Sequence, residues 1–172
     1  MENNKALVLG IGSDILSDEG IGIRLIHLLK KTNISLIADF ITLNIGSPEL
    51  IEIIKNYKKV FIIDAIKTKT KPVGEIHCID LKNFQNTINL SNPHDISFID
   101  TINLGKLLYK NFSPKIFIYA IEIENEFEIS NDLSEQLFSK ITDIADNIVY
   151  HIQNELINKK NIKYKRIQYE NF

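Results

Sequence analysis

The chain has one cysteine, no long apolar run and no excess of basic charge, and each shortage closes off a class of protein. With Cys78 alone, an intramolecular disulfide and a cysteine-based zinc cluster are both excluded, which suits a reducing compartment; the thiol is expected to fill core. No apolar stretch approaches the roughly 20 residues that a membrane-spanning helix requires, so no membrane partner is expected. Met1-Glu2-Asn3-Asn4-Lys5 lacks the charged-then-apolar design of a signal peptide, which makes a cytoplasmic address the expectation. A formal net charge of −2, with acids and bases interspersed, gives no footprint for nucleic acid. The densest basic cluster, Lys159, Lys160, Lys163, Lys165 and Arg166, falls in a polar tail expected to fray in solvent.

Several catalytic and nucleotide-binding fingerprints are missing too. There is no G-x-S-x-G elbow to present a serine nucleophile. No glycine-rich stretch ends in Gly-Lys-Ser/Thr. A dinucleotide fingerprint starting at Gly10 would need glycine where Ile15 stands, and Asp14, Asp18 and Glu19 would repel a pyrophosphate. Any hydrolysis must therefore run through activated water.

What is present is the stretch from Gly10 to Gly22, Gly-Ile-Gly-Ser-Asp-Ile-Leu-Ser-Asp-Glu-Gly-Ile-Gly, after the apolar run Ala6 to Leu9. It reads as strand, glycine-rich turn and helix, with Asp18 and Glu19 where a helix N-terminus favours carboxylates. The helix should run from Ile21 to Lys31, and a strand should cover Ser35 to Leu43. Ser47 and Pro48 would start a short helix through Leu50 and Ile54. Lys58 to Ala65 is a nearly continuous apolar strand of the kind buried on both faces, with Asp64 at its C-terminal end. A basic loop, Lys67 to Pro72, precedes a strand from Val73 to Asp80, and an Asn-rich connection then leads to His94. A helix from Asp95 to Lys110, a strand from Lys115 to Ile121, an acidic loop from Glu122 to Ile129 and a helix from Asp132 to Ile157 complete the chain, Asp132 and Glu135 forming a capping box.

Strands alternating with helices, without repeats or linkers, predict a single-domain α/β fold: a twisted, mostly parallel sheet of about five strands with helices on both faces. The domain would span residues 1–157, leaving 158–172 as the tail. Ligands of such sheets bind beyond the strand C-termini, which selects Asp18 and Glu19, Asp64, and the His94 loop. Two carboxylates and an imidazole suit Zn, Ni, Co, Mn or Fe and leave coordination positions open for water or substrate; capping roles for the same residues remain the alternative. His27, His77 and His151 read as structural, because none adjoins a strand C-terminus carrying acids.

In order and spacing, Leu7-Val8-Leu9-Gly10-Ile11-Gly12, Asp18-Glu19-Gly20-Ile21-Gly22, Phe61-Ile62-Ile63-Asp64-Ala65 and Pro93-His94 resemble the nickel-iron hydrogenase maturation endopeptidases, over about residues 5 to 157. The resemblance implies a doubly wound α/β fold and removal of a C-terminal extension from the hydrogenase large-subunit precursor after nickel insertion. It implies that Glu19, Asp64 and His94 contact the metal, and that the nickel is supplied by the substrate; Zn or Cd could substitute in a crystal. Asp18 would be a possible catalytic helper, with Asp14 and Asp95 the other candidate bases. Two positions depart from the family pattern: Ser13 replaces the usual Asn, and Glu49 a usual glycine. A metal-sensing chaperone that binds the precursor without cutting, or a small-molecule hydrolase with its own permanent metal, would use the same three residues.

Overall fold

The structure is a computed structural model that describes residues 5–43, 49–80, 102–110, 112–124 and 128–156. The expected Ser47/Pro48 helix start, the connection and helix start over 81–101, and the 158–172 tail lie outside them. The described residues build one α/β unit from β1 (Ala6–Ile11), α1 (Ile21–Leu29), β2 (Ala38–Leu43), α2 (Leu50–Ile54), β3 (Lys59–Ile66), β4 (Ile76–Asp80), α3 (102–108), β5 (Lys115–Glu122), α4 (Glu135–Phe138) and α5 (Ile141–Leu156). The sheet runs in the order β2-β1-β3-β5-β4, parallel throughout except for the antiparallel edge strand β4. Among the described residues no helix is long and apolar enough to cross a membrane.

The apolar runs of β1, β3 and β5 put buried residues on both faces, as alternation requires. On one face Val8, Phe61, Ile63 and Tyr119 meet Leu25 and Ile26 of α1 and Ile144, Ile148 and Ile152 of α5. On the other Leu9, Ile62 and Ile118 meet Leu50 and Ile54 of α2 and Ile102 of α3.

Several elements end earlier than the pattern predicts, each for a local reason. Helix α1 stops at Leu29, where the Thr32 hydroxyl donates to the Leu29 carbonyl at 2.7 Å. A 3-10 turn over Asn33–Leu36 buries Ile34 and delays β2 to Ala38. The long last helix is two: α4 is capped by Ser134, whose hydroxyl accepts from the Leu137 amide at 3.3 Å, in place of an Asp132/Glu135 box. Lys140, in the break before α5, donates to the Val73 carbonyl at 2.7 Å. Cys78 is exposed and not core, because β4 lies at the sheet edge and its thiol borders a groove against Asn147 and His151.

One contact sets the depth at which α1 sits. A Cβ on Gly22 would lie 2.2 Å from the Ile11 carbonyl oxygen and 2.6 Å from that of Ile63, both main-chain atoms that cannot swing aside. Gly10 faces the same helix turn, its Cβ position 2.5 Å from the Gly22 oxygen. Gly22→Ala should therefore destabilise the protein by about 2–3 kcal/mol, whereas Ala at an exposed helical position should be near neutral. Urea denaturation of the two variants checks this, and a Gly22→Ala protein as stable as the parent would contradict the packing.

Candidate active site

Strand order reverses between β1 and β3: the chain goes from β1 outward to β2, then crosses back to lay β3 on the other side of β1. Beyond the strand C-termini such a reversal opens a crevice, the usual ligand position in this architecture. Glu19 and Asp64 flank it. Glu19 lies in a 3-10 turn, Asp18–Gly20, that continues directly into α1 and packs against β3. Asp64 is near the end of β3, opposite Ala120 of β5, and by strand alternation shares a face with Ile62 and Ile66. Both side chains are partly exposed. The Asp64 Oδ1 accepts from the Ala65 amide at 2.8 Å.

The turn carrying Glu19 is held down by close main-chain packing. Gly12 has φ +151, and a Cβ there would lie 2.2 Å from the Glu19 carbonyl oxygen, so the loop can close only on glycine. From the side, residues 129–134 buttress the loop: Leu16 bridges Ile129, the Ser130 amide donates to the Ile15 carbonyl at 3.1 Å, and the Ser17 hydroxyl donates to the Asp132 carbonyl at 3.1 Å. Asp18 belongs to this support. Its side chain is buried and its Oδ1 accepts from the Ser134 amide at 2.8 Å, which ties the turn to the start of α4. Asp14 is exposed on the outer loop.

His94 and Asp95 lie outside the described residues. The chain downstream of them enters α3, which packs through Ile102 on the face of the sheet that carries Asp64. Among the described residues no three His, Cys, Asp or Glu side chains cluster to hold a metal. Of the three expected residues, Glu19 and Asp64 are described and lie at the same end of the sheet, on the 3-10 turn before α1 and near the end of β3.

A buried carboxylate at the same edge escapes sequence reasoning. Glu122 is the last residue of β5, not the first of a loop, and is 1% exposed. Its carboxylate accepts from the Thr68 amide at 2.7 Å, the Lys69 amide at 2.8 Å, the Thr68 hydroxyl at 2.6 Å and His77 Nε2 at 2.7 Å. His77 does adjoin an acid-bearing strand end, contrary to expectation, because antiparallel β4 brings its N-terminal end beside the C-terminal end of β5. The alternation Ile121-Glu122-Ile123, continuing the strand period, was the available signal. Burial alone would push the Glu122 carboxyl up; the donors from Thr68, Lys69 and His77 outweigh it and hold the group below its ordinary value of 4.5. His27 is exposed on α1, and His151 tilts against Tyr119 with ring centres 5.9 Å apart.

A sequence model of the hydrogenase maturation protease family matches residues 23–151, a stretch that includes Asp64 and His94 and begins just after the Glu19 turn. Among solved structures, the chain is similar to the hydrogenase maturating endopeptidase HybD from E. coli, with a TM-score of 0.71 and 21% identity over 88% of this chain and 93% of that one. It is also similar to two proteins of Thermococcus kodakarensis. The NiFe hydrogenase maturation protease HybD matches at TM-score 0.69 and 18% identity, covering 86% of this chain and 98% of that one. The maturation protease HycI matches at TM-score 0.67 and 18% identity, covering 88% and 94%. No curated protein gives a match. At these identities the structural likenesses establish the fold.

Because the folded state holds Glu122 ionised below pH 4.5, the unfolded chain binds the extra proton there. The stabilisation from this carboxylate should be complete above about pH 4.5, near the ordinary carboxylate value, and decline as pH falls through the lower folded-state value. Glu122→Gln should melt below the parent at pH 6 and approach it as the pH drops toward 3. Parallel melting curves of the two proteins over that range would refute the clamp.

Proposed function

Because this chain belongs to the hydrogenase maturation protease family, whose members are peptidases, we propose that it removes the C-terminal extension of a nickel-iron hydrogenase large-subunit precursor after nickel has been inserted. The nickel is part of the substrate in this reading: the enzyme inspects the metallated precursor and cuts only then. The observation that carries the proposal is the seating of the Glu19 turn against the end of β3, two carboxylates flanking the crevice where strand order reverses.

Each residue then has a distinct task. Glu19 and Asp64 offer oxygen donors and His94 a nitrogen donor, a mixed set that suits a borderline divalent ion such as nickel better than magnesium or calcium. Three protein donors leave room for groups the precursor already supplies. By gripping the ion, these side chains hold the neighbouring peptide in one orientation, which converts an encounter into a positioned reaction. Water then adds to the scissile carbonyl carbon, the C–N bond breaks, and the proton lost by water passes to the leaving amine. Asp18 acts from below, fixing the turn through Ser134. Membership in a peptidase family favours cutting over mere chaperoning.

Incubating the purified protein with nickel-loaded precursor should shorten the precursor, and nickel-free precursor should stay full length. Asp64→Ala and His94→Ala should each slow shortening by at least about 100-fold, beyond the usual loss for a residue that only supports a ligand, with melting temperatures close to the parent. Undiminished shortening by both variants, read as a gel shift of the precursor, would remove the metal-reading role.

A further inference from the structure

The loop that follows β3 goes unused in that mechanism, yet it is more firmly built than a solvated connection needs to be. Lys67-Thr68-Lys69-Thr70-Lys71 carries three lysines and no acid. It begins three residues after Asp64, at the same edge of the sheet. Two consecutive amides, Thr68 and Lys69, donate to one oxygen of the buried Glu122, and the Thr68 hydroxyl donates to the other. The Thr68 and Thr70 hydroxyls are 2.5 Å apart. Lys71 Nζ donates to the Ile76 carbonyl at 2.9 Å, tying the far end of the loop to β4.

Within this fixture Lys69 takes φ +59, the one described residue other than glycine in the left-handed region. For a side chain other than glycine that conformation costs about 1–2 kcal/mol, a cost that a loop serving only as a connection could avoid by taking glycine or relaxing. The outcome is an exposed Lys69 whose main chain is fixed on a clamped base. At the same edge of the sheet lies the crevice flanked by Glu19 and Asp64, whose charges repel an acidic peptide. Lysines beside the crevice reverse that field locally and over roughly a Debye length, about 8–10 Å.

We propose that the Glu122-clamped loop, Lys67 to Lys71, is a second contact surface for the precursor and takes an acidic segment of that protein while the crevice engages the metal-bearing part. The surface adds affinity and register; it takes no part in bond cleavage. It rests on the proposed function for the identity of the partner.

Binding and cutting are measured separately, with nickel-loaded precursor as the probe. In Lys69→Glu the Kd for the precursor at about 50 mM salt should rise at least tenfold, the excess over wild type should shrink toward unity near 0.5 M salt, and the single-turnover rate of bound precursor should match wild type. Lys30→Glu, the same charge change at the end of α1, serves as the control and should leave Kd unaltered. A Lys69→Glu Kd equal to wild type at low salt overturns the proposal, as does a weakening that persists undiminished at high salt or is matched by Lys30→Glu. Wild-type protein that binds the precursor but never shortens it counts against the proposed function and leaves the loop's role to be read from the Kd values alone.

Discussion

The site depends on how closely helix α1 lies on the strands beneath it. Gly22 sits almost against the carbonyl oxygens of Ile11 and Ile63, a distance no side chain would permit, and Gly10 answers it from the strand. Glycine within a helix costs about 1 kcal/mol relative to alanine. That loss is small against the burial of Ile21, Leu25, Ile26 and Leu29, each worth about 1.5–3 kcal/mol, all fully removed from solvent on the same helix. Close packing therefore wins, and the turn before the helix is lowered onto the crevice. Glu19 reaches the end of β3 as a consequence of steric fit, not of local turn propensity.

Two buried carboxylates then fix the borders of the crevice. Asp18 takes the Ser134 amide and Glu122 takes those of Thr68 and Lys69, so a loop on each side is anchored to an acid within the protein. An ionised group without partners in such a place would cost several kcal/mol, and Glu122 meets amide, hydroxyl and imidazole donors there. The two acids between them, Glu19 and Asp64, are partly exposed. Supports are buried and satisfied, while the residues offered to a ligand are accessible.

Much of this was legible in the sequence because the signals were local. The nearly continuous apolar run of β3 and the alternation of strands with helices predicted a mostly parallel sheet, and the apolar set Leu25, Ile26, Leu28 and Leu29 predicted α1. The general rule for strand ends selected the Asp18/Glu19 turn, Asp64 and the His94 loop, and of these the described residues place the turn and Asp64 at that edge. What failed to show was long-range. Glu122 looked like a loop residue because its four donors come from segments about 45 to 54 positions away. His77 looked isolated because only the antiparallel pairing of β4 sets it beside that acid. Cys78 looked buried because an alternating strand does not announce that it lies at an edge. The break between α4 and α5 was hidden by an apolar period that continues straight through it.

The departures from the family pattern fall where side chains matter least to the scaffold. Ser13 acts through its carbonyl, which accepts the Leu16 amide at 3.3 Å and lies 2.8 Å from the position a Gly20 Cβ would take. The loop closes by main chain at this position. Glu49 is exposed at the start of α2, with its carbonyl receiving the Ile53 amide at 3.0 Å. Substitution at both positions changes the outer surface and leaves the seating of Gly22, the Asp18 tie and the Glu122 clamp intact. The backbone positions of Glu19 and Asp64 follow from the packing of α1 on β1 and β3 and from the register of β3 on β5.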